Sequence, residues 1–334
     1  MKVVYFTRKF NNTQGNSIEK LFDIIINEIK KHCNVKNNTN PYGLGLIQMF
    51  KTCLYFRKEQ GDINHITGDI HWSCLFLDRN KTILTIHDAV GIRQYSGIRR
   101  IIYYIIWILL PLIKLKYIVC ISDKTRDEII KLYPPAKKKI RVIHNCLTTE
   151  ISNSRMNEEY YCTGQVLKVL IVGTRENKNI ERSILALQDL PLELYIVGFL
   201  RDADRELLKS LNINFKNYFN ISEKELINLY KLSHVLLFPS LYEGFGLPVL
   251  EAQANNCAVI TSNISPMNTI CGKGAILVDP YDVSSIKEAI NDILINEEVY
   301  RKLIDYGRLN VINYTPEKIA NEYLNLYNQV INNK

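Results

Sequence analysis

Short apolar runs recur along this chain, each bounded by turn residues and followed by a stretch of helical period. They are KVVYFT, INHIT, TILTI, YIVCI and IRVIH in the first half, then LKVLIVG, LELYIVG, VLLFPS, CAVITS and AILVD in the second. Apolar strands alternating with helices give parallel α/β units, with sheets covered on both faces. After the first run, Ile18, Leu21, Phe22, Ile25, Ile26 and Ile29 fall on one face of a helix over 17–31. Ser222 with Glu225 makes a capping box that opens a later helix. Thr315 before Pro316 opens a last one, running to about residue 332.

The alternation breaks once, in HNCLTTEISNSRMNEEYYCTGQ (144–165), which is polar and has no period. A chain of 334 residues is also too long for one ordinary core. We therefore expect two Rossmann-like domains, 1–150 and 166–314, followed by a C-terminal helix, 315–334, that packs back on the first. In sheets of this kind, ligands lie beyond the carboxyl ends of the strands.

Apolar residues make up 47% and charged residues 23%, the balance of a folded protein. The net charge of +8 is unevenly spread: residues 1–150 carry 24 Lys+Arg against 12 Asp+Glu, and residues 151–334 carry 18 against 22. A basic first half calls for an anionic partner. The eight cysteines form no C-x-x-C pair and have no regular spacing with histidine, so neither zinc nor a disulfide framework is expected. MKVVYFTRKF lacks a signal peptide's apolar core and reads as a first strand. The expected setting is the reducing cytoplasm.

One segment, RRIIYYIIWILLPLIKLK (99–116), is apolar from 101 to 113 between basic flanks. A spanning helix needs roughly 18 or more such residues, so this one is too short to cross a bilayer. It reads as a core helix ahead of YIVCI. It also reads as a helix in the membrane interface, with Tyr103, Tyr104 and Trp107 near the headgroups and Arg99 to Lys116 on anionic lipid. One face can be buried while the other stays apolar and exposed.

The richest chemistry lies in FPSLYEGFGLPVLEAQA (238–254), a strand end, a glycine-bearing loop and a helix with Pro248 in its first turn. A helix N-terminus suits a phosphate, and Gly244 and Gly246 let the backbone approach a ligand. Glu251, one turn into the helix, can accept two hydrogen bonds from a vicinal diol such as a ribose. Glu243 precedes the helix, displaced toward whatever lies beyond the phosphates. A dinucleotide fingerprint would need a third glycine where Val249 stands.

FPSLYEGFGLPVLEA resembles the donor-site signature of the retaining family 4 glycosyltransferases. The resemblance extends over most of the chain, most strongly from about 166 to 310. It implies the GT-B fold, with two Rossmann-like parallel sheets facing across a cleft, donor on the second domain and acceptor on the first. It implies that Glu251 holds the ribose of a nucleotide-sugar and Glu243 the hydroxyls of the transferred sugar. The amides around Phe245, Gly246 and Leu247 would contact phosphate and sugar.

In VGTRENKNIERSILAL, Arg175 and Lys178 stand between a strand and a helix and read as a diphosphate clamp for the leaving group. Thr174 separates Gly173 from Arg175, a departure from the family's spacing. His87, directly after TILTI, resembles the family histidine that faces the donor sugar, and Asp88 would orient it or the loop. In HITGDIHW, Asp69 reads first as an N-cap and second, with His71, as acceptor-binding. Gly15 and Asn16 in TQGNSIEKLF match the family's glycine loop near the donor phosphates.

These readings imply a retaining transferase using a nucleoside-diphosphate sugar, with no other cofactor, no metal and no nucleic-acid partner. No Asp-x-Asp motif stands at a strand end to hold a metal. The expected acceptor is a glycan or lipid-linked glycan in cell-surface polysaccharide synthesis, met at the inner face of the cytoplasmic membrane. A GT-B phosphorylase and a non-catalytic membrane-associated binding protein are the alternatives.

Overall fold

The computed structural model describes residues 1–8, 17–43, 45–88, 90–151 and 164–333. The chain divides into two compact units, Met1–Thr148 with Thr315–Lys334, and Thr149–Tyr314. The division falls within the polar stretch 144–165, of which 152–163 lie outside the described residues, as do Gly15 and Asn16.

Among the described residues the first unit holds a parallel sheet of six strands: β1 (Lys2–Thr7), β2 (Asn34–Thr39), β3 (Ile63–Ile66), β4 (Thr82–Ile86), β5 (Tyr117–Cys120) and β6 (Ile140–Val142). Their order is β2-β1-β3-β4-β5-β6. Side chains alternate between two cores, as a sheet covered on both faces requires. Val4 and Phe6 join one with Leu84, Ile118 and Trp72. Val3 and Tyr5 join the other with Ile83, Val119 and the apolar face of the helix Ser17–Ile29.

That second core is closed by the C-terminal helix Pro316–Asn332, through Ile319, Tyr323, Leu326, Tyr327 and Val330. A polar knot sits beneath it. The Tyr327 hydroxyl lies 2.7 Å from the Tyr5 hydroxyl and 2.7 Å from His65 Nδ1. The other nitrogen of His65 is 2.8 Å from Thr85 Oγ1. Every polar atom of that knot is buried, so the hydrogen bonds fix the helix in one register.

The second unit repeats the plan with β7 (Leu167–Val172), β8 (Leu192–Val197), β9 (Phe215–Tyr218), β10 (Val235–Phe238), β11 (Ala258–Ser262) and β12 (Ile276–Val278). Here the order is β12-β11-β10-β7-β8-β9, again parallel. The capping box forms as expected: Ser222 Oγ accepts from Glu225 N–H, and the Glu225 carboxylate accepts from Ser222 N–H.

The apolar segment near residue 100 is a helical run, α over Gly97–Tyr103, π over Tyr104–Leu109 and α over Leu110–Lys114. Ile108, Pro111 and Leu112 are buried, whereas Ile98, Ile101, Ile102, Ile105 and Ile113 are exposed. One face is core and the other is apolar and open to solvent. No helix among the described residues is long and apolar enough to cross a membrane.

Candidate functional site

In the second sheet the strands run outward from β7 through β8 to β9 on one side, and from β10 through β11 to β12 on the other. The order therefore reverses between β7 and β10, and in sheets of this kind ligands lie at such a reversal, beyond the carboxyl ends of the strands. Lys178, in the loop after β7, meets Glu243, in the loop after β10. Lys178 Nζ lies 2.6 Å from Glu243 Oε1, with the two side chains 17% and 15% exposed. The ammonium also sits 4.4 Å from the centre of the Phe238 ring, a cation–π contact at the end of β10.

Three features hold that pair. Gly173 turns the chain out of β7 at φ +89°, and a Cβ there would fall 2.9 Å from Lys178 Cε. Asn177 Nδ2 donates to the Tyr242 carbonyl at 2.9 Å and to Glu243 Oε1 at 3.2 Å, while its own carbonyl accepts from Leu241 N–H. Buried Asn179, at φ +59°, donates through Nδ2 to the carbonyls of Pro239 and Pro280. Asparagine is among the few residues that adopt this left-handed backbone readily. The two loops are thus tied by amide side chains at several points.

The helix Leu247–Ala254 starts beside this corner, with Gly246 at φ +104° as its N-cap. Val249 N–H already bonds the Gly246 carbonyl and Pro248 has no N–H, while the Leu247 amide stands in the helix's first turn. The Phe245 ring is buried, edge-on to Tyr314 at 6.1 Å, so only its backbone can meet a ligand. Glu251 is half-buried, and its Oε2 accepts from the Tyr230 hydroxyl at 2.9 Å. Burial and the neighbouring carboxylate push the Tyr230 phenol well above its ordinary range, so it remains a donor. Arg175 is exposed, tied to the corner by its carbonyl, which accepts from Lys178 N–H.

In the first unit the reversal lies between β1 and β3. His87 follows β4, and its Nε2–H donates to the Thr67 carbonyl at 2.9 Å. Burial lowers its pKa to about 4, so the ring is neutral at pH 7 and Nδ1 is its acceptor. Arg8, after β1, pairs with Glu19 at the start of the helix Ser17–Ile29. Sequence reasoning missed that pair, whose partners stand 11 residues apart in the chain.

Asp69 is not the expected N-cap. Ile70 holds that position for the 3-10 helix His71–Phe76, and no side chain caps it. The chain turns one residue later than the motif suggests, leaving Asp69 exposed with its carbonyl accepting from Trp107 Nε1 at 3.4 Å. His71 is buried, and its Nδ1–H donates to the Trp107 carbonyl at 2.9 Å. Asp88 is exposed. Asn177, Asn179 and Tyr230 were also missed; each acts on a partner far along the chain, which no local spacing reveals.

Two family models match this chain: Glycosyltransferase Family 4 over residues 2–151 and Glycosyl transferases group 1 over residues 164–310. The O-antigen chain mannosyltransferase RfbU of Salmonella typhimurium is 29% identical over 224 residues, covering 64% of this chain and 61% of that protein. The match thus spans about three fifths of that relative's length. Among solved structures, sucrose-phosphate synthase of Thermosynechococcus elongatus superposes with a TM-score of 0.76 at 17% identity, over 100% of both chains. Anabaena Alr3699/HepE, solved in complex with UDP, superposes at 0.73 and 14% identity, over 98% of this chain and 100% of that one. With both halves matched by models of one kind and the whole chain superposing on such structures, the protein belongs to the group 1 glycosyltransferases of the GT-B fold.

Proposed function

We propose that the protein is a retaining, metal-independent transferase that moves a sugar from a nucleoside-diphosphate sugar to a glycan or lipid-linked glycan, in cell-surface polysaccharide synthesis. The observation that carries this reading is the meeting of Lys178 and Glu243 at the β7/β10 reversal, beside a helix tip. RfbU acts on an O-antigen chain, which supports a polysaccharide acceptor and makes a mannosyl donor the first to try. UDP in the Anabaena neighbour supports a nucleoside diphosphate.

In this reading Lys178 and the Leu247 amide hold the diphosphate, Glu251 the ribose diol and Glu243 the hydroxyls of the sugar. Neutral His87 accepts a sugar hydroxyl through Nδ1. Arg175 adds charge to the leaving group. The bond from the anomeric carbon to the phosphate oxygen breaks as the acceptor oxygen bonds on the same face. The acceptor's proton passes to the departing phosphate, and the cation with the helix-end dipole stabilises the charge that develops there. The protein works in the cytoplasm, and the basic-flanked run Arg99 to Lys116 rests on the inner face of the membrane.

Calorimetry against GDP- and UDP-sugars tests this. One donor should bind in the micromolar to millimolar range. Glu251→Gln should weaken it about 10- to 100-fold, the value of a charged hydrogen-bond acceptor. A flat response to every donor would remove the reading.

Tyr230→Phe frees the Glu251 carboxylate from its fixed orientation and should weaken nucleotide binding by roughly 3- to 10-fold, the scale of one hydrogen bond. The same change should leave binding of the 2′,3′-dideoxy nucleotide unaltered. An equal loss for both nucleotides would show that Tyr230 acts through general packing instead.

A further inference from the structure

The helix Leu46–Lys58 carries a second apolar outcrop, unrelated in sequence to the run at 97–114. Leu46, Ile47 and Phe50 are 76%, 68% and 55% exposed, and Leu54 is exposed beside them. At 100° per residue these four side chains share an arc of about 100°. Met49, Thr52, Cys53 and Phe56 point the other way, into the core. Lys51 and Lys58 border the apolar arc and are exposed.

Both this helix and the run 97–114 pack on the same 3-10 helix, His71–Phe76. The Phe50 ring stands edge-on to Phe76 at 5.6 Å. Beside Phe76 opens a cleft of about 410 Å³ lined by Arg57, Gln60, Leu75, Asp78 and Lys114. Arg57 comes from one helix and Lys114 from the other, so the cleft joins the two outcrops and carries two cations against the single Asp78. Neither helix contains an aspartate or a glutamate.

We propose that these two helices form one docking face for an anionic bilayer, with the cleft taking a lipid headgroup phosphate between Arg57 and Lys114. Exposed branched and aromatic side chains on helices whose only charged residues are cations are the composition of interfacial helices. Clustered exposed apolar side chains of this kind mark interaction surfaces. A bilayer of anionic lipid meets both properties at once, whereas a soluble partner would need a matching acidic, apolar groove. The inference deepens the membrane contact proposed above by adding a second anchor.

Flotation with vesicles of phosphatidylglycerol and phosphatidylcholine, against phosphatidylcholine alone, is the test, at low and high salt. The full chain should float with the anionic vesicles. Ile47→Ser with Phe50→Ser, both at exposed sites, should lower the partition constant about tenfold or more at an unchanged Tm. Arg57→Ser with Lys114→Ser should lower it about 10- to 30-fold and erase the preference for phosphatidylglycerol. If Arg99→Ser with Arg100→Ser weakens flotation while the Ile47/Phe50 variant floats like the parent, the second anchor is wrong and the first contact stands. Absence of flotation at low salt would remove both. A dimer in light scattering that Phe50→Glu splits, with flotation unchanged, would assign the patch to self-association.

Discussion

Lys178→Met is expected to lower kcat by about 10²- to 10³-fold, the usual effect of removing one donor aimed at developing charge. Glu243→Gln should lose about 10- to 100-fold, since it keeps shape and gives up only charged hydrogen bonding to the sugar. The two side chains are also ion partners, so each single change leaves the other without its counter-charge. For a fully buried pair that disruption costs about 3–5 kcal/mol. This pair is 17% and 15% exposed, Asn177 still donates to Glu243, and Phe238 still faces Lys178. We expect the cost to be nearer about 1.5–3 kcal/mol, the range for hydrogen bonds to charged groups. Lys178→Met combined with Glu243→Gln removes both charges and should recover most of that stability while staying inactive. Steady-state transfer rates and urea midpoints on the three variants separate the roles. If the double variant regains both stability and rate, the pair is structural and the proposed chemistry is wrong.

The two sheets were legible because parallel strands covered on both faces must be apolar nearly throughout. KVVYFT, TILTI and LELYIVG leave little else to be. The strands that escaped notice are β2, NVKNNT, and β9, FKNY, both at sheet edges. An edge strand has one neighbour and looser cover, so nothing demands an apolar run. The helix Leu46–Lys58 escaped for the opposite reason: it is apolar on its outer side as well as its inner one, so no amphipathic period stands out. In the site, strand-to-helix motifs carry local signals, which is why Lys178, Glu243 and Glu251 could be named. Asn177 and Asn179 could not, because their partners lie in loops brought beside them only by the folding of the sheet. Tyr230 falls on the apolar period of its helix and reads as core; its hydroxyl's partner, 21 residues on, is a tertiary fact.

Acidification should destabilise the protein well before its carboxylates titrate, because burial lowers the pKa of four histidines, His65, His87, His144 and His234. Burial lowers His65 to about 3 and His87 to about 4, each from an ordinary 6.5. It lowers His234 to about 4, helped by the charge of Lys168, whose backbone N–H donates to His234 Nδ1 at 3.0 Å. Each pKa is depressed on folding, so the unfolded chain takes up protons first as pH falls. The contribution is whole above about 6.5 and disappears between there and the folded values of 4 to 3. Each tenfold change in proton affinity is worth about 1.4 kcal/mol, so His87 and His234 each forfeit about 3 kcal/mol by about pH 4. His65, His87 and His144 all sit in the first unit, and His87 further disfavours the charge on His65, so that unit should fail at the higher pH. Both tryptophans of the chain, Trp72 and Trp107, lie in that unit, so their fluorescence follows it alone. Urea midpoints read this way should fall steeply from about pH 6.5 to about 4.5. His65→Gln should start lower at neutral pH, having lost part of the knot with Tyr327 and Thr85, yet decline along a shallower curve by one proton. A variant curve parallel to the parent's would mean that His65 does not govern the acid limb.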